Sequence, residues 1–420
     1  MNIFSRTFPN QLRLQVVHIP GSTSVTTMIL AKAGSRHEHI KNSGISHFLE
    51  HMFFKGAAKY KTPKEVSQAV DRFGGHFNAF TGKEYAGYYV KCGAPFLDRS
   101  LDVLSDMLLH STFPEVELEK ERGVIIEEMA MYKDAPMYQI GWEFEKLLFG
   151  DQPLGRDQIG SKKNVRAFSR DDLKRYKETY YQPSNMVITL AGNVGEDTLD
   201  LVQSYFGAFP DKAAPTWAPF ELKTNQSRLS AIAKKTEQYH LSLGFLGIAE
   251  NDPRYEAFRV LRVILGGNMS SRMFQHIREE KGLCYSIRTQ AQSFTDTGHL
   301  TTQAGVKLSD LEPALRGIAQ EYRLMAQKGI TLQELEDAQN YLLGSLDLNL
   351  EDSEYVAHDF ADELLLSDRV NDYDAWRTKL KSVTKEGVDA LAAELFDLNK
   401  AHLAVIGPKI SEERLRKAIS

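Results

Sequence analysis

The chain has 420 residues, of which 42% are hydrophobic and 25% are charged, which is ordinary for a soluble globular protein of two or three domains. Its net charge of −5 includes no long run of one sign, so we expect neither nucleic acid nor a membrane surface as a partner. No apolar run is long enough to span a bilayer, no secretory signal is recognisable, and Cys92 and Cys284 lie in different halves. These features favour a reducing compartment, and we expect a cytoplasmic protein.

Two strands are predicted at the start of the chain, over 12–19 and 25–33, separated by a Pro-Gly-Ser turn. Residues 36–39 (RHEH) follow and contain two histidines and a glutamate. Alternate residues in a loop do not share a face, so we interpret 36–39 as a solvated loop rather than a metal site.

The next segment, residues 47–51 (HFLEH), contains two histidines four positions apart. On a helix, His47 and His51 share a face, and Glu50 projects from nearly the same face. Zinc commonly takes three protein ligands and leaves a fourth position for water, whose proton a nearby carboxylate can accept. The order His-x-x-Glu-His is the inverted zinc-protease signature. The plainer alternative is two surface histidines on an amphipathic helix.

A second helix is predicted from Pro63, with Thr62 as its N-cap and Glu65 completing a capping box. Strands over 76–79 and 85–92 and a helix over 95–109 come next. Further elements are predicted as a helix over 171–181, a strand over 186–191 and a helix over 199–206.

The helix predicted over 115–133 is rich in acidic residues, most of which are expected to face water. Glu121 and Glu128 are seven residues apart, close to two turns, and share a face that Val124 and Ile125 flank. Such a pair suits an inward-facing metal site. Glu127 is also available, and spacing alone does not choose between it and Glu128.

The second half of the chain repeats the pattern of the first after a proline-rich segment at 209–219. We therefore predict domains at 1–208 and 226–420, joined by a linker at 209–225. In this register Gly344 stands opposite Glu128, and the histidine positions fall near Ala257 and Leu261. The second domain thus keeps the scaffold but not the metal ligands, and each domain has an α+β composition.

Together with residues 266–272 (GGNMSSR) and 281–286 (KGLCYS), these motifs resemble the inverted-zinc-motif metallopeptidases. That family includes pitrilysin, insulin-degrading enzyme and the mitochondrial processing peptidases, and the chain is most similar to the short bacterial processing-peptidase-like branch. The resemblance covers nearly the whole chain. It implies that His47, His51 and Glu128 bind one Zn²⁺ per chain and that Glu50 is the general base.

The resemblance also assigns roles to five further residues. Glu121 matches the family's second acidic residue on its helix, which is expected to support a zinc ligand. Asn78 and Ala79 match the edge-strand segment that holds peptide substrate. Arg278 and Tyr285 match the arginine–tyrosine pair that contacts substrate and stabilises the tetrahedral intermediate. Without the resemblance, these last two would read as a surface helix residue and a half-buried strand residue.

The implied fold is two homologous domains, each a mainly antiparallel sheet packed with helices, which form half of a clamshell. The implied function is a zinc metalloendopeptidase that hydrolyses short or unfolded peptides inside a closed chamber. We expect a homodimer in which one subunit completes the active site of the other, with a heterodimer as a further possibility. The alternatives are a non-catalytic core or partner subunit and a peptide-holding metal module. Glu50 argues against the latter, because holding peptides needs no general base.

Overall fold

The computed structural model describes residues 1–222 and 227–419. Within these residues the strands are β1 Asn2–Thr7, β2 Arg13–His18, β3 Ser24–Ala31, β4 His76–Thr81, β5 Ala86–Gly93, β6 Met186–Gly192, β7 Leu229–Ala233, β8 Gln238–Leu246, β9 Cys284–Ser293, β10 Gly298–Lys307 and β11 His402–Gly407. The α-helices are α1 Ile45–Phe53, α2 Pro63–Asp71, α3 Leu97–His110, α4 Glu115–Asp134, α5 Pro136–Phe149, α6 Lys162–Ala167, α7 Arg170–Tyr180, α8 Thr198–Phe206, α9 Tyr255–Arg262, α10 Leu311–Lys328, α11 Leu332–Asn349, α12 Ser353–Ser367, α13 Tyr373–Lys381, α14 Lys385–Leu395 and α15 Glu412–Ile419. Val263–Gly267 and Phe274–Glu280 are π-helical. No helix in these ranges is both long and apolar enough to cross a membrane.

The strands form two sheets with matching topology. The first has the order β1-β2-β6-β3-β5-β4, and the second has the order β7-β11-β8-β10-β9. With β1 set aside, the two orders correspond strand for strand. In each sheet one pair is parallel, β2 with β6 and β7 with β11, and the other pairs are antiparallel. The predicted α+β class, with two similar and mainly antiparallel sheets, is confirmed.

The chain divides into two compact units, each built from discontinuous segments. The first contains Met1–Ala130, Asp157–Ala218 and Asp347–Asn371, and the second contains Met131–Arg156, Pro219–Leu346 and Asp372–Ser420. Helix α12 packs against β3 and β6, and helix α5 packs against the corresponding strands β8 and β11. Residues 131–156 therefore belong to the second unit, although they lie within the predicted domain 1–208. Residues 347–371 belong to the first unit, although they lie within the predicted domain 226–420.

The predicted linker at 209–225 lies only partly within the described residues. Residues 209–222 form neither helix nor strand, and the boundary between the two units falls between Ala218 and Pro219. Residues 223–225 lie outside the described part of the chain.

The capping of α2 differs in one detail from the prediction. The Thr62 side chain accepts a hydrogen bond from the Glu65 amide, as an N-cap does. The Glu65 carboxylate, however, accepts from the amide of Lys61 at 2.6 Å rather than from that of Thr62. Because the carboxylate reaches one residue further back, the reciprocal half of the capping box is not formed.

The histidine helix α1 is fixed by the apolar side chains on its inner face. Phe48, Leu49, Met52 and Phe53 are all fully buried. Burying a large apolar side chain contributes roughly 1.5–3 kcal/mol, so these four residues hold α1 firmly against the unit. The polar residues between them are thereby presented on the opposite, partly exposed face.

Candidate metal centre

Helix α1 begins at a backbone position that favours glycine. Its N-cap, Gly44, has φ 97°, and an added Cβ would lie 2.6 Å from the carbonyl oxygen of Ile159. The first free amides of the helix bind the Glu38 carboxylate, which accepts from the amides of Gly44 at 2.8 Å and Ser46 at 2.9 Å. A carboxylate at this position is also attracted to the positive end of the helix dipole. Glu38 therefore fixes the start of the histidine helix.

The interpretation of residues 36–39 as a solvated loop is wrong for its first three members. Arg36, His37 and Glu38 are all buried. Arg36 forms a buried ion pair with Glu84, with 2.6 Å between Nη1 and Oε1. The segment is a structural support of α1, because its charged groups find partners in the interior. No local sequence pattern predicts this ion pair, because Glu84 is 48 positions away from Arg36.

His47, His51 and Glu128 converge on one point. Their ligand atoms all lie within 4.8 Å of one another. Glu128 places Oε1 at 3.7 Å from His47 Nε2 and Oε2 at 3.5 Å from His51 Nε2. Two ligand atoms at about 2.1 Å from a tetrahedral zinc ion stand about 3.4 Å apart. The side-chain arrangement therefore fits a His₂Glu zinc site.

Helix α4 separates the candidate carboxylates by their exposure. Glu128 is partly buried and faces the two imidazoles, whereas Glu127 is exposed. Val124 is 49% exposed, so only Ile125 gives this face its apolar character. The alternative that spacing left open is thus decided by direction: Glu128, and not Glu127, lies beside the histidines.

Glu121 binds the other side of His51. Its Oε2 lies 3.0 Å from His51 Nδ1, and its Oε1 lies 2.7 Å from Lys55 Nζ. Burial opposes ionisation of Glu121, but the hydrogen bonds from His51 and Lys55 outweigh it and lower the pKa. An ionised Glu121 accepts a hydrogen bond from the Nδ1–H group of His51. The lone pair on Nε2 of His51 then faces Glu128.

His47 is neutral in this environment. Burial, reinforced by the positive charge that His51 can carry, lowers the pKa of His47 to about 3. Its Nδ1 is buried without a hydrogen-bond partner among the described residues. A neutral imidazole is the form that coordinates a metal ion.

Glu50 stands beside the three candidate ligands. Its Oε2 accepts a hydrogen bond of 2.5 Å from Thr81 Oγ1, at the end of β4. Burial raises the pKa of Glu50, and the nearby Glu128 adds to the rise, whereas Thr81 and His51 work against it. The carboxyl is thus held in place at one oxygen and made more basic than an exposed glutamate. Thr81 was not identified from the sequence, because nothing links it to α1 before the strands pair.

Asn78 and Ala79 lie on β4 at the edge of the first sheet. Asn78 is exposed, and its Oδ1 accepts from the Ala79 amide at 2.9 Å. In the described part of the chain β4 pairs with β5 alone. Its outer edge therefore offers main-chain groups to which another strand could add.

Arg278 and Tyr285 lie in the second unit and contact each other. The Arg278 guanidinium is 5.3 Å from the centre of the Tyr285 ring and 4.5 Å from that of Phe274. Tyr285 is 80% exposed, at the start of β9, rather than half-buried. The pair is thus a surface feature whose tyrosine hydroxyl faces outward.

Two family models match the chain. Residues 13–158 match the model described as "Insulinase (Peptidase family M16)", and residues 167–342 match the one described as "Peptidase M16 inactive domain". All candidate metal ligands and Glu50 fall in the first of these ranges.

Relatives that match this chain over nearly its full length support the same relationship. The chain is 38% identical to the uncharacterized zinc protease YmxG of Bacillus subtilis, over 96% of this chain and 97% of that protein. It is 35% identical to an uncharacterized zinc protease of Streptomyces coelicolor, over 99% of this chain and 92% of that protein.

A solved structure shares the fold. The crystal structure of a protease from Helicobacter pylori matches with a TM-score of 0.90 at 23% identity, covering 97% of this chain and 99% of that chain. The family models and the relatives above 30% identity together show that this chain belongs to peptidase family M16.

Proposed function

We propose that the protein is a zinc-dependent endopeptidase with one zinc site per chain, formed by His47, His51 and Glu128. The observation that carries this proposal is the convergence of those three ligand groups, with Glu50 on the same helix as the two histidines. The relatives are named zinc proteases, which supports zinc as the metal.

A zinc ion bound there supplies Lewis acidity, which lowers the pKa of a water molecule and polarises a carbonyl group. Thr81 occupies Oε2 of Glu50, so Oε1 is the oxygen that we assign as proton acceptor. Glu50 takes the proton of the attacking water and then delivers it to the leaving amine. Glu121 keeps the His51 ring in one orientation and one tautomer while this happens.

The substrate that suits this site is an extended peptide. We propose that it adds alongside β4 at Asn78 and Ala79 and binds through main-chain hydrogen bonds. Such binding needs a segment without its own secondary structure, which favours short or unfolded peptides. Arg278 and Tyr285 are proposed to contact the substrate backbone and to stabilise the developing oxyanion. The exposed Tyr285 hydroxyl is compatible with that role.

We further propose that the active form is a homodimer in which Arg278 and Tyr285 of one subunit act at the zinc site of the other. A heterodimer with a related chain would serve the same purpose. The second candidate function is a non-catalytic partner subunit, which the description "inactive domain" for residues 167–342 favours. That range contains neither the candidate zinc ligands nor Glu50, although it does contain Arg278 and Tyr285.

The decisive variant is Glu50→Gln, which keeps the shape of the side chain but removes the base. We expect it to retain zinc, measured by elemental analysis, and to lose hydrolysis of an unstructured peptide by a factor of about 10² or more. Glu127→Gln is the matched control, because Glu127 is an exposed neighbour of the ligand Glu128. Full activity of Glu50→Gln would refute the mechanism, and a wild-type protein that binds zinc but cleaves nothing would support the partner-subunit function.

A further inference from the structure

The second unit contains a positively charged pocket that the peptidase function does not use. It has a volume of about 500 Å³ and lies between α9 and the edge strand β9. Its walls include the three arginines Arg259, Arg262 and Arg288 and the aromatic rings of Tyr255 and Phe258. These five residues form the arginine pocket.

The positive charge of the arginine pocket is only partly compensated. Arg259 lies 3.5 Å from Glu256 and stacks at 4.8 Å on the ring of Trp376. Arg262 and Arg288 form no ion pair within the described ranges of the chain. Three guanidinium groups therefore line the pocket, and Glu256, which pairs with Arg259, is not part of its lining.

Arg262 is partly buried in the wall of the pocket. Its guanidinium is held against Gly267, where an added Cβ would lie 3.2 Å from Nη1. Burial, and then the charges of Arg259 and Arg288, lower the pKa of Arg262. A half-buried cation without a counter-charge is destabilising, and a bound anion would remove that cost.

The internal repeat relates the walls of the arginine pocket to elements of the first unit. Strand β9 corresponds to β4 in the strand order, and the sequence repeat places α9 opposite α1. In the first unit α1 carries His47 and His51, and β4 carries Thr81, which binds Glu50. Gly344, which the sequence repeat places opposite Glu128, is exposed and has no side chain that could act as a ligand. The pocket thus lies beside α9 and β9, and arginines line it instead of metal ligands.

We propose that the arginine pocket binds the oxyanion of a small molecule, either a carboxylate or a phosphate group. Guanidinium groups bind both in a bidentate manner, and the Tyr255 and Phe258 rings can cover an apolar part of the ligand. The pocket is larger than a single phosphate, so we infer an organic acid or phosphate ester rather than the bare ion. This proposal does not depend on peptidase activity, because no residue of the metal centre takes part.

The test is calorimetric titration of the full-length protein with two kinds of probe. Inorganic phosphate represents one source of the oxyanion. N-acetylphenylalanine represents the other, with N-acetylphenylalaninamide as its uncharged equivalent. We expect Arg262→Gln to weaken binding of the preferred probe by at least about tenfold, since it removes a charge-assisted bidentate partner. Arg262→Lys keeps the charge but not the fork, so its binding should be intermediate.

Arg316→Gln is the matched control, because Arg316 is 55% exposed on α10 and pairs with Glu312. Its affinity should equal that of the wild type, and the thermal unfolding of all variants shows that they are folded. Preference for the acid over its amide would identify a carboxylate site, and preference for phosphate would identify a phosphate site. Absence of binding by every probe up to about 10 mM, or equal affinity of folded Arg262→Gln and wild type, would overturn the proposal.

Discussion

Glu121 and Glu128 are two turns apart on the same helix but differ in what they contact. Glu128 faces the Nε2 atoms of both histidines, whereas Glu121 binds Nδ1 of His51 and the Lys55 ammonium. Glu121 is therefore a positioning residue that acts through His51. Loss of its charge should weaken metal binding without removing a ligand.

We expect Glu121→Gln to reduce zinc affinity by about 10–100-fold, the range found when a partner of a ligating histidine is removed. Zinc affinity is measured by competition with a chelator, and the metal-free protein is unfolded thermally in parallel. Glu119→Gln on the same helix is the control, because Glu119 is exposed and its one ion pair within residues 1–222 and 227–419 is with Arg122. Unchanged zinc affinity in Glu121→Gln would show that Glu121 has no effect through His51.

His37 gives a prediction on pH dependence. It is buried between the rings of Tyr180 and Trp217, and both of its nitrogens lack hydrogen-bond partners among the described residues. Burial, and then the charges of Lys32 and Arg36, lower the pKa of His37 to about 4 from its ordinary value of 6.5. The unfolded state thus binds more protons between pH 6.5 and pH 4, so stability falls as the pH falls through this range.

Replacement of His37 by Phe should remove that contribution. The loss of unfolding free energy between pH 7 and pH 4.5, measured by urea denaturation, should be smaller than in the wild type by about 2 kcal/mol. His110→Phe is the control at an exposed position and should keep the wild-type slope. The comparison uses the slope with pH, so a constant packing cost of the new ring does not affect it. An identical slope in His37→Phe would contradict a buried neutral imidazole.

At the scale of elements, α1 depends on a capping side chain that lies outside the helix. Glu38 binds the amides of Gly44 and Ser46 from the preceding turn. Glu38→Gln should cost about 1 kcal/mol of unfolding free energy, as the loss of a charged N-cap does, and should also weaken zinc binding. Glu178→Gln, at an exposed site on α7, is the control. A variant Glu38→Gln with wild-type stability would show that the cap contributes nothing.

The elements with strong local signals were predicted from the sequence, and those defined by distant contacts were not. The helix predicted over 115–133 is Glu115–Asp134, and the Thr62 N-cap is present. Helix α5 was not predicted. Pro136 lies beyond the helix predicted over 115–133 and occupies the first turn of a new helix. Helix α12 was not predicted either. Its contact with the first sheet includes a 2.9 Å hydrogen bond between Ser353 and Thr26, which are 327 positions apart.

The same division applies to the candidate site. His47, Glu50 and His51 could be identified because their spacing follows the helical repeat. The groups that hold them could not, because Thr81 and Glu38 reach α1 only after strand pairing and burial. Residues 36–39 were misinterpreted for the same reason. A sequence of charged residues predicts a solvated loop unless the buried partners of those charges are known.

At the scale of the whole molecule, the duplication separates two tasks. The first unit contains the candidate metal ligands, and the second contains Arg278, Tyr285 and the arginine pocket. The repeat was visible in the sequence, and the corresponding strand orders agree with it. The exchange of α5 and α12 was not visible, because each helix follows its own repeat in sequence.

The proposed homodimer makes a prediction that only a mixture of subunits can test. Glu50→Gln and Tyr285→Phe should each be inactive alone, since each lacks one half of the proposed site. When the two are unfolded, mixed and refolded together, mixed dimers contain one site with both residues intact, so activity should return to about a quarter of the wild-type level for random pairing. Mixtures that remain inactive would contradict completion of the site by the partner subunit.

The central claim is that one zinc ion is held by side chains from α1 and α4. The most direct measurement is anomalous diffraction at the zinc edge from crystals of the protein grown with one equivalent of Zn²⁺. We expect one strong peak per chain, at about 2.0–2.2 Å from a nitrogen of His47, a nitrogen of His51 and an oxygen of Glu128. A peak elsewhere, or none at these three residues while zinc is bound, would contradict the claim.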